Sequence, residues 1–228
     1  CGRIDSESTN RFNRSMSIQL LIFDLDGTVI DSKLDIANSG NWTLKELGLP
    51  AVLNEVIYSY VGNGVRPLIQ KSVGEEQGPR YQRALKIFKD YYTKHLLDET
   101  RLFDGVVDVL NHFSSKKKAV FTNKPQYFTE PILEGLKFSH YFDAIMGSDA
   151  GFPKKPDPTV IHHLLKKFNC PPNQAVLVGD SKVDIETGKN AGILTCGVTY
   201  GFRPPEEVKE ARPDFVISEF SDLKSIFI

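Results

Sequence analysis

Two aspartates, Asp24 and Asp26, stand two residues apart directly after the apolar run QLLIF at residues 19–23, and Gly27 and Thr28 follow them. A buried carboxylate without a partner is costly, so an acid pair at the end of such a run calls for a cation or a polar ligand. If extended geometry persists through the pair, both side chains point to one side. Gly27 lets the chain turn sharply afterwards, and Thr28 can satisfy a local backbone or carboxylate group. The plain alternative is an Asp-Gly turn with incidental acids. Asp31 lies past that turn, where a surface or capping role is expected.

A second acidic pair lies in VLVGDSKVDIETGKNAG, residues 176–192. An apolar run ends at Gly179, and Asp180, Ser181 and Asp184 follow. Aspartate favours helix starts, so capping is the simple reading. Capping needs one acid, however, and two acids facing the first pair suit a hard cation. Mg²⁺ takes a few carboxylates together with water and phosphate oxygens. Two smaller signals lie between the pairs. FTNK at residues 121–124 ends its run with Thr122 and Asn123, and GFPKKPDP at residues 151–158 holds Lys154 and Lys155, the latter directly before Pro156. Alone, each also reads as a polar strand end or a proline-rich surface loop.

The elements that must position these residues follow from periodicity. Apolar β-rich runs occur at residues 19–23, 118–122, 143–147, 175–179 and 193–198, with residues 215–217 as a sixth. Amphipathic helices separate them. Val106, Val109, Leu110 and Phe113 share one helical face, as do Ile161, Leu164, Leu165 and Phe168. Such alternation predicts an α/β fold, a Rossmann-like parallel sheet covered on both faces, whose ligands bind at the carboxyl ends of the strands. Residues 33–100 interrupt it without a convincing strand. Tyr81, Leu85, Phe88, Tyr92 and Leu96 form a helix face there, and Leu34, Ala37, Leu44 and Leu47 a weaker one. The predicted organisation is a catalytic core over residues 16–32 and 101–228, with an all-helical second domain over 33–100. Residues 1–15 are read as a disordered tail or a cloning remnant, with Met16 as the candidate start.

The 228 residues carry 28 Lys and Arg against 29 Asp and Glu, a net charge of −1, and 40% are hydrophobic. Nothing in that balance suggests a nucleic-acid or acidic-membrane partner. The first fifteen residues lack the apolar region of a secretory signal. No run approaches the length of a membrane span. Three cysteines, far apart and without a CxxC pair, support neither a zinc site nor a disulfide framework. The expectation is a cytoplasmic protein, monomer or homodimer.

Taken together and in order, DLDGT, FTNK, KKPDP and GDSKVDIETGKNAG resemble the four motifs of the haloacid dehalogenase (HAD) superfamily, and they span residues 20–192. The segments YVGNGVRPLI (60–69), LFDGVVDVL (102–110) and GVTYGF (197–202) are similar to phosphoglycolate phosphatases within it. The resemblance implies that the helical insertion is a cap domain that closes over the site and excludes water. It implies Mg²⁺-dependent phosphoryl transfer through an aspartyl-phosphate. Asp24 would be the nucleophile and Asp26 the general acid/base. Asp24, Asp180 and the Asp26 carbonyl would hold the metal. Lys155 would neutralise charge, in preference to Lys154, and Thr122 and the Asn123 amide would donate to phosphoryl oxygens. Asp184 and Ser181 would stand one layer out. From the insertion, Gly62 and Gly64, flanking Asn63, could reach the site, and Arg66 could pair with a substrate carboxylate.

The substrate implied is a small phosphorylated metabolite, with phosphoglycolate foremost. A phosphosugar mutase of the β-phosphoglucomutase type shares the acid pair and stays open, as does a pyrophosphatase or nucleotidase. A dehalogenase leaves Asp26 unexplained, and the phosphonate-cleaving branch lacks that second acid. A catalytically silent binding module would be expected to have lost Asp24, Asp26, Lys155 or Asp180, and all four are present.

Overall fold

The computed structural model describes residues 17–228; the expectations for residues 1–15 and Met16 lie outside them. Six parallel strands form one sheet: β1 (Leu20–Phe23), β4 (Lys117–Phe121), β5 (Ala144–Met146), β6 (Ala175–Gly179), β7 (Leu194–Val198) and β8 (Phe215–Ile217). Their order is β5-β4-β1-β6-β7-β8, with β1 between β4 and β6. Two further strands, β2 (Ile30–Asp31) and β3 (Arg101–Leu102), pair antiparallel apart from the sheet. The helices are α1 (Lys33–Glu46), α2 (Asn54–Tyr58), α3 (Val65–Val73), α4 (Pro79–Tyr92), α5 (Val106–His112), α6 (Gln126–Gly135), α7 (Thr159–Lys167), α8 (Lys182–Ala191), α9 (Pro205–Glu210) and α10 (Leu223–Ile226). Each predicted apolar run is a strand, so the parallel α/β reading of the sequence holds.

The central strands are buried on both faces, and their side chains alternate between two cores. Leu20, Ile22, Ala119, Phe121 and Leu177 meet Val160, Ile161 and Leu164 of α7 on one side. Leu21, Phe23, Val120, Val176 and Val178 face the other, with Val106, Val109 and Leu110 of α5 and Phe128 and Ile132 of α6. That second core continues without a break into the helical segment, through Ile36, Ile57, Leu68, Phe88 and Tyr92.

Helices α1 to α4 pack on one another between β2 and β3. On α1 the buried face is Ile36, Ala37, Gly40, Thr43 and Leu44, rotated from the Leu34–Leu47 face expected from the sequence. Gly40 accounts for the rotation. A Cβ there would lie 2.9 Å from Ile57 Cδ1, so the side without a side chain is where α2 docks. At the base, Ile30 pairs with Leu102 and Asp31 with Arg101. Asp35, wholly buried, accepts from the N–H groups of Glu99 and Thr100 and from Thr100 Oγ1 at 2.7–3.0 Å. The entry and exit of the helical segment are thus held together. Asp31 is part-buried in this short ladder, 3.5 Å from Lys33 Nζ.

Candidate active site

Strand register alone brings three of the motifs together. Phe23 lies beside Val120 on one flank and Val178 on the other, so Asp24, Thr122 and Asp180 all emerge at the carboxyl edge of the sheet. Asp24 N–H donates to Val178 O at 2.9 Å, which continues the ladder by one step. The next turn passes close under Asp180. Gly27 has φ +83°, and a Cβ on it would fall 2.2 Å from Asp180 Oδ2. Both the backbone conformation and the contact require glycine there. Thr28 is fully buried, but its Oγ1 has no partner among the described residues; it does not serve the neighbouring carboxylates as expected. Its carbonyl accepts from Tyr200 Oη.

Asp24, Asp180 and Asp184 offer oxygens within 4.8 Å of one another, all three buried. Lys155 reaches into this group, with Nζ 2.7 Å from Asp24 Oδ1 and 2.5 Å from Asp184 Oδ1. Lys154, its neighbour, is exposed. Asp184 also closes the start of α8 by exchanging hydrogen bonds with Ser181, the N-cap residue, in a capping box. The same acid therefore caps its helix and anchors the lysine. Asp180 Oδ2 accepts from Phe202 N–H at 2.7 Å.

Electrostatics show what the cluster lacks. Burial, with Asp184 adding to it, lifts the Asp24 carboxyl to about 6 despite Lys155. Burial and the two acidic neighbours push Asp180 well above the usual carboxylate range. Burial opposes the charge on Lys155, but Asp184 and Asp24 outweigh it and hold the ammonium firmly protonated. Three buried carboxylates thus face one buried cation. Asp24 Oδ1 receives no aligned hydrogen bond. A buried all-oxygen donor set whose three acids share one lysine fits a hard divalent cation.

Asp26 turns away from this cluster. Its carboxylate receives Lys124 Nζ at 2.9 and 3.1 Å and Ser32 Oγ at 2.5 Å. Its side chain is therefore not among the clustered metal-ligand candidates. The side chains of Asp24 and Asp26 do not share one direction because β1 ends at Phe23 and the alternation lapses. Lys124 is itself buried and donates to Tyr92 Oη at 2.7 Å. Burial opposes its charge, and Asp26 and Tyr92 more than offset that effect. Lys124 and Tyr92 were not singled out for a functional role from sequence. Lys124 stood inside the quoted FTNK, and Tyr92 read simply as an apolar position of its helix.

Asp24, Asp26, Thr122, Lys124 and Tyr92 line a narrow cavity of about 30 Å³ with Gly62, Gly64 and the apolar Ile36, Val61, Leu68, Phe88 and Phe128. Thr122 Oγ1 accepts from Lys124 N–H, which leaves its own proton available. The Asn123 side chain is occupied otherwise. It donates to Gly62 O at 3.1 Å and accepts from Lys155 N–H at 3.0 Å, so it ties two loops together. Arg203, also missed from sequence, donates to Ser59 O at 2.7 Å and to Val61 O. These contacts hold residues 59–62 over the cavity. Asn63 does not line it, and Arg66 is exposed in a neighbouring cavity with Lys89, Lys154 and Asp149.

Comparison with known proteins agrees with this arrangement. A family described as haloacid dehalogenase-like hydrolase matches residues 21–198. The chain is similar to the phosphoglycolate phosphatase of Aquifex aeolicus, 36% identical over 208 residues, 90% of this chain and 95% of that protein. It is similar also to that of Colwellia psychrerythraea, 35% identical over 214 residues, again 90% and 95%. The crystal structure of a protein from Haemophilus somnus described as a predicted phosphoglycolate phosphatase matches with a TM-score of 0.86. The two are 30% identical over 90% of this chain and 96% of that one. The expectation of a phosphoric monoester hydrolase is borne out by these relatives. Four motifs that share a sheet edge, and a family match across most of the sheet, lead to one conclusion: the chain belongs to the haloacid dehalogenase-like hydrolases.

Proposed function

We propose that this protein is a Mg²⁺-dependent phosphatase that cleaves a small phosphomonoester, phosphoglycolate, through a phosphoaspartate on Asp24. The observation that carries the reading is the buried trio Asp24, Asp180 and Asp184 around the single ammonium of Lys155, with Asp26 held separately at the cavity. Asp24 and Asp180, with the Asp26 carbonyl, would hold Mg²⁺, which when bound offsets the charge on the phosphoryl oxygens.

Asp24 attacks phosphorus while the bond to the leaving oxygen breaks, and Asp26 supplies the proton that the departing alkoxide needs. In the second half, Asp26 takes a proton from the water that attacks the phosphoryl group. Phosphate leaves and Asp24 is restored. Lys155 keeps Asp24 directed and neutralises charge. Thr122 donates to a phosphoryl oxygen. Residues 33–100 act as the cap, with residues 59–64 as the part that closes the cavity. The apolar walls favour a short leaving group over a hydroxylated sugar. The names of the relatives support phosphoglycolate. Two unpaired buried cysteines, Cys170 and Cys196, suit a cytoplasmic setting. Among the described residues no helix is long and apolar enough to cross a membrane.

The test is turnover of phosphoglycolate, pyrophosphate, nucleoside monophosphates and hexose phosphates, with Mg²⁺ and with chelator. Metal-dependent preference for phosphoglycolate by several tenfold steps is expected. A folded protein that turns over none of them would instead be a binding module.

A further inference from the structure

The buried end of the cavity holds a hydrogen-bond donor with nothing to donate to. Tyr92 Oη accepts from Lys124 Nζ at 2.7 Å. An ammonium has no lone pair, so the phenolic proton is not used in that contact. No other acceptor lies within hydrogen-bonding distance of it among the described residues. Tyr92 is 1% exposed, and its ring is wedged between Phe88 and Phe128, with centroids at 5.5 and 4.9 Å. Bulk water does not reach it. Lys124 Nζ directs its three protons at Asp26 Oδ1, Asp26 Oδ2 and Tyr92 Oη, so what it offers a ligand is its positive charge. An unused buried donor such as the Tyr92 hydroxyl carries a desolvation cost that a ligand acceptor removes.

Their position defines the acceptor. Lys124 Nζ lies 2.9 Å from Asp26 Oδ1, and Asp26 is the group that serves the leaving oxygen. A group one carbon removed from that oxygen therefore falls beside Lys124 and Tyr92. The remaining walls, Ile36, Val61, Leu68 and Phe128, offer nothing polar to a longer hydroxylated chain. We propose that the Tyr92 hydroxyl and the Lys124 ammonium together receive a carboxylate on the leaving group, one carbon from the ester oxygen. They would then be the residues that select a phosphorylated hydroxy acid. This assignment rests on the phosphatase reading above. It draws a donor from the helical segment and a positive charge from the sheet edge, so the receptor is complete only when the two are together. Arg66, in its separate exposed cavity, takes no part in it.

The experiment is Y92F, assayed with Mg²⁺ on phosphoglycolate and on ethyl phosphate, which replaces the carboxylate by a methyl group. The loss in kcat/KM on phosphoglycolate is expected to exceed that on ethyl phosphate by about tenfold or more, the order of one hydrogen bond to a charged group. It should appear mainly in KM. Equal losses on both substrates would overturn the assignment and leave the phosphatase reading standing. So would a wild-type enzyme that handles the two esters equally well, a result that needs no variant. A parallel measurement separates the two claims. Calorimetric binding of phosphoglycolate to D24N, with and without Y92F, is expected to weaken about tenfold when the hydroxyl is lost, while inorganic phosphate binding is affected less. If the wild type proves inactive but this difference appears, the receptor stands and the catalytic reading falls.

Discussion

Lys155 Nζ stands 2.5 Å from Asp184 Oδ1, joining a loop lysine to the first turn of α8 with both groups almost wholly buried. The contact neutralises part of an acidic cluster that would otherwise repel itself. K155M removes the one cation that, among the described residues, touches Asp24 and Asp184. The expected cost is about 3–5 kcal/mol of stability, typical of breaking a buried pair from one side, measured by urea unfolding. Turnover with Mg²⁺ should fall by about a hundredfold or more. A stability loss within about 1 kcal/mol, the range of an exposed pair, would contradict this placement.

Asp180 lies on the other side of the same balance. Its carboxylate is buried beside two acids and receives one backbone N–H. D180N keeps the shape and removes a carboxyl whose ionisation burial and two acidic neighbours oppose in the metal-free protein. The metal-free variant should therefore melt several degrees above the wild type near neutral pH, while losing both activity and the rise in Tm on adding Mg²⁺. An unchanged response to Mg²⁺ would place the ion elsewhere.

Asp24 sets a pH dependence. Burial raises its carboxyl from 3.8 to about 6. Between those values the folded chain retains a proton that the unfolded chain has released, so its contribution to stability falls as pH rises through the window and levels off above it. Thermal scans in chelator should show a steeper fall in Tm from pH 4 to pH 6 for the wild type than for D24N. Mg²⁺, which requires the ionised group, should raise the wild-type Tm more at pH 7 than at pH 5. Parallel slopes for the two proteins would show that Asp24 does not titrate there.

Asp35 makes a prediction far from the chemistry. It satisfies the N–H groups of Glu99 and Thr100 and the Thr100 hydroxyl in a buried setting. D35A would strand those donors at roughly 1–3 kcal/mol each before relaxation. We expect a loss of several kcal/mol in urea unfolding, and early proteolytic cleavage near residues 93–100. A loss within the range of a surface substitution would show that this junction does not hold the segment.

Arg203 links the loop that touches Asp180 to the strip above the cavity, through Ser59 O and Val61 O. R203A should loosen that strip, with KM for phosphoglycolate rising more than kcat falls and stability little changed. Steady-state kinetics decide it; a drop confined to kcat would assign Arg203 to the chemical step instead.

The sequence by itself determined the parallel sheet and the placement of Asp24, Thr122 and Asp180. Each ends or directly follows a continuous apolar run, and parallel strands in register carry such ends to one edge. Lys155 was legible as well, from its position before Pro156 in a motif order that few folds share. The tertiary structure alone decided that Asp26 turns from the acidic cluster toward Lys124, since that depends on where β1 stops. It alone placed Tyr92, Arg203 and Asp35, whose partners lie 32, 142 to 144 and 64 to 65 residues away. It alone set the face of α1, through a glycine whose missing side chain matters only once Ile57 arrives. Periodicity reports which way a side chain leaves its own element. It carries no information on which distant donor or acceptor will be waiting there, because that pairing is made by packing between elements.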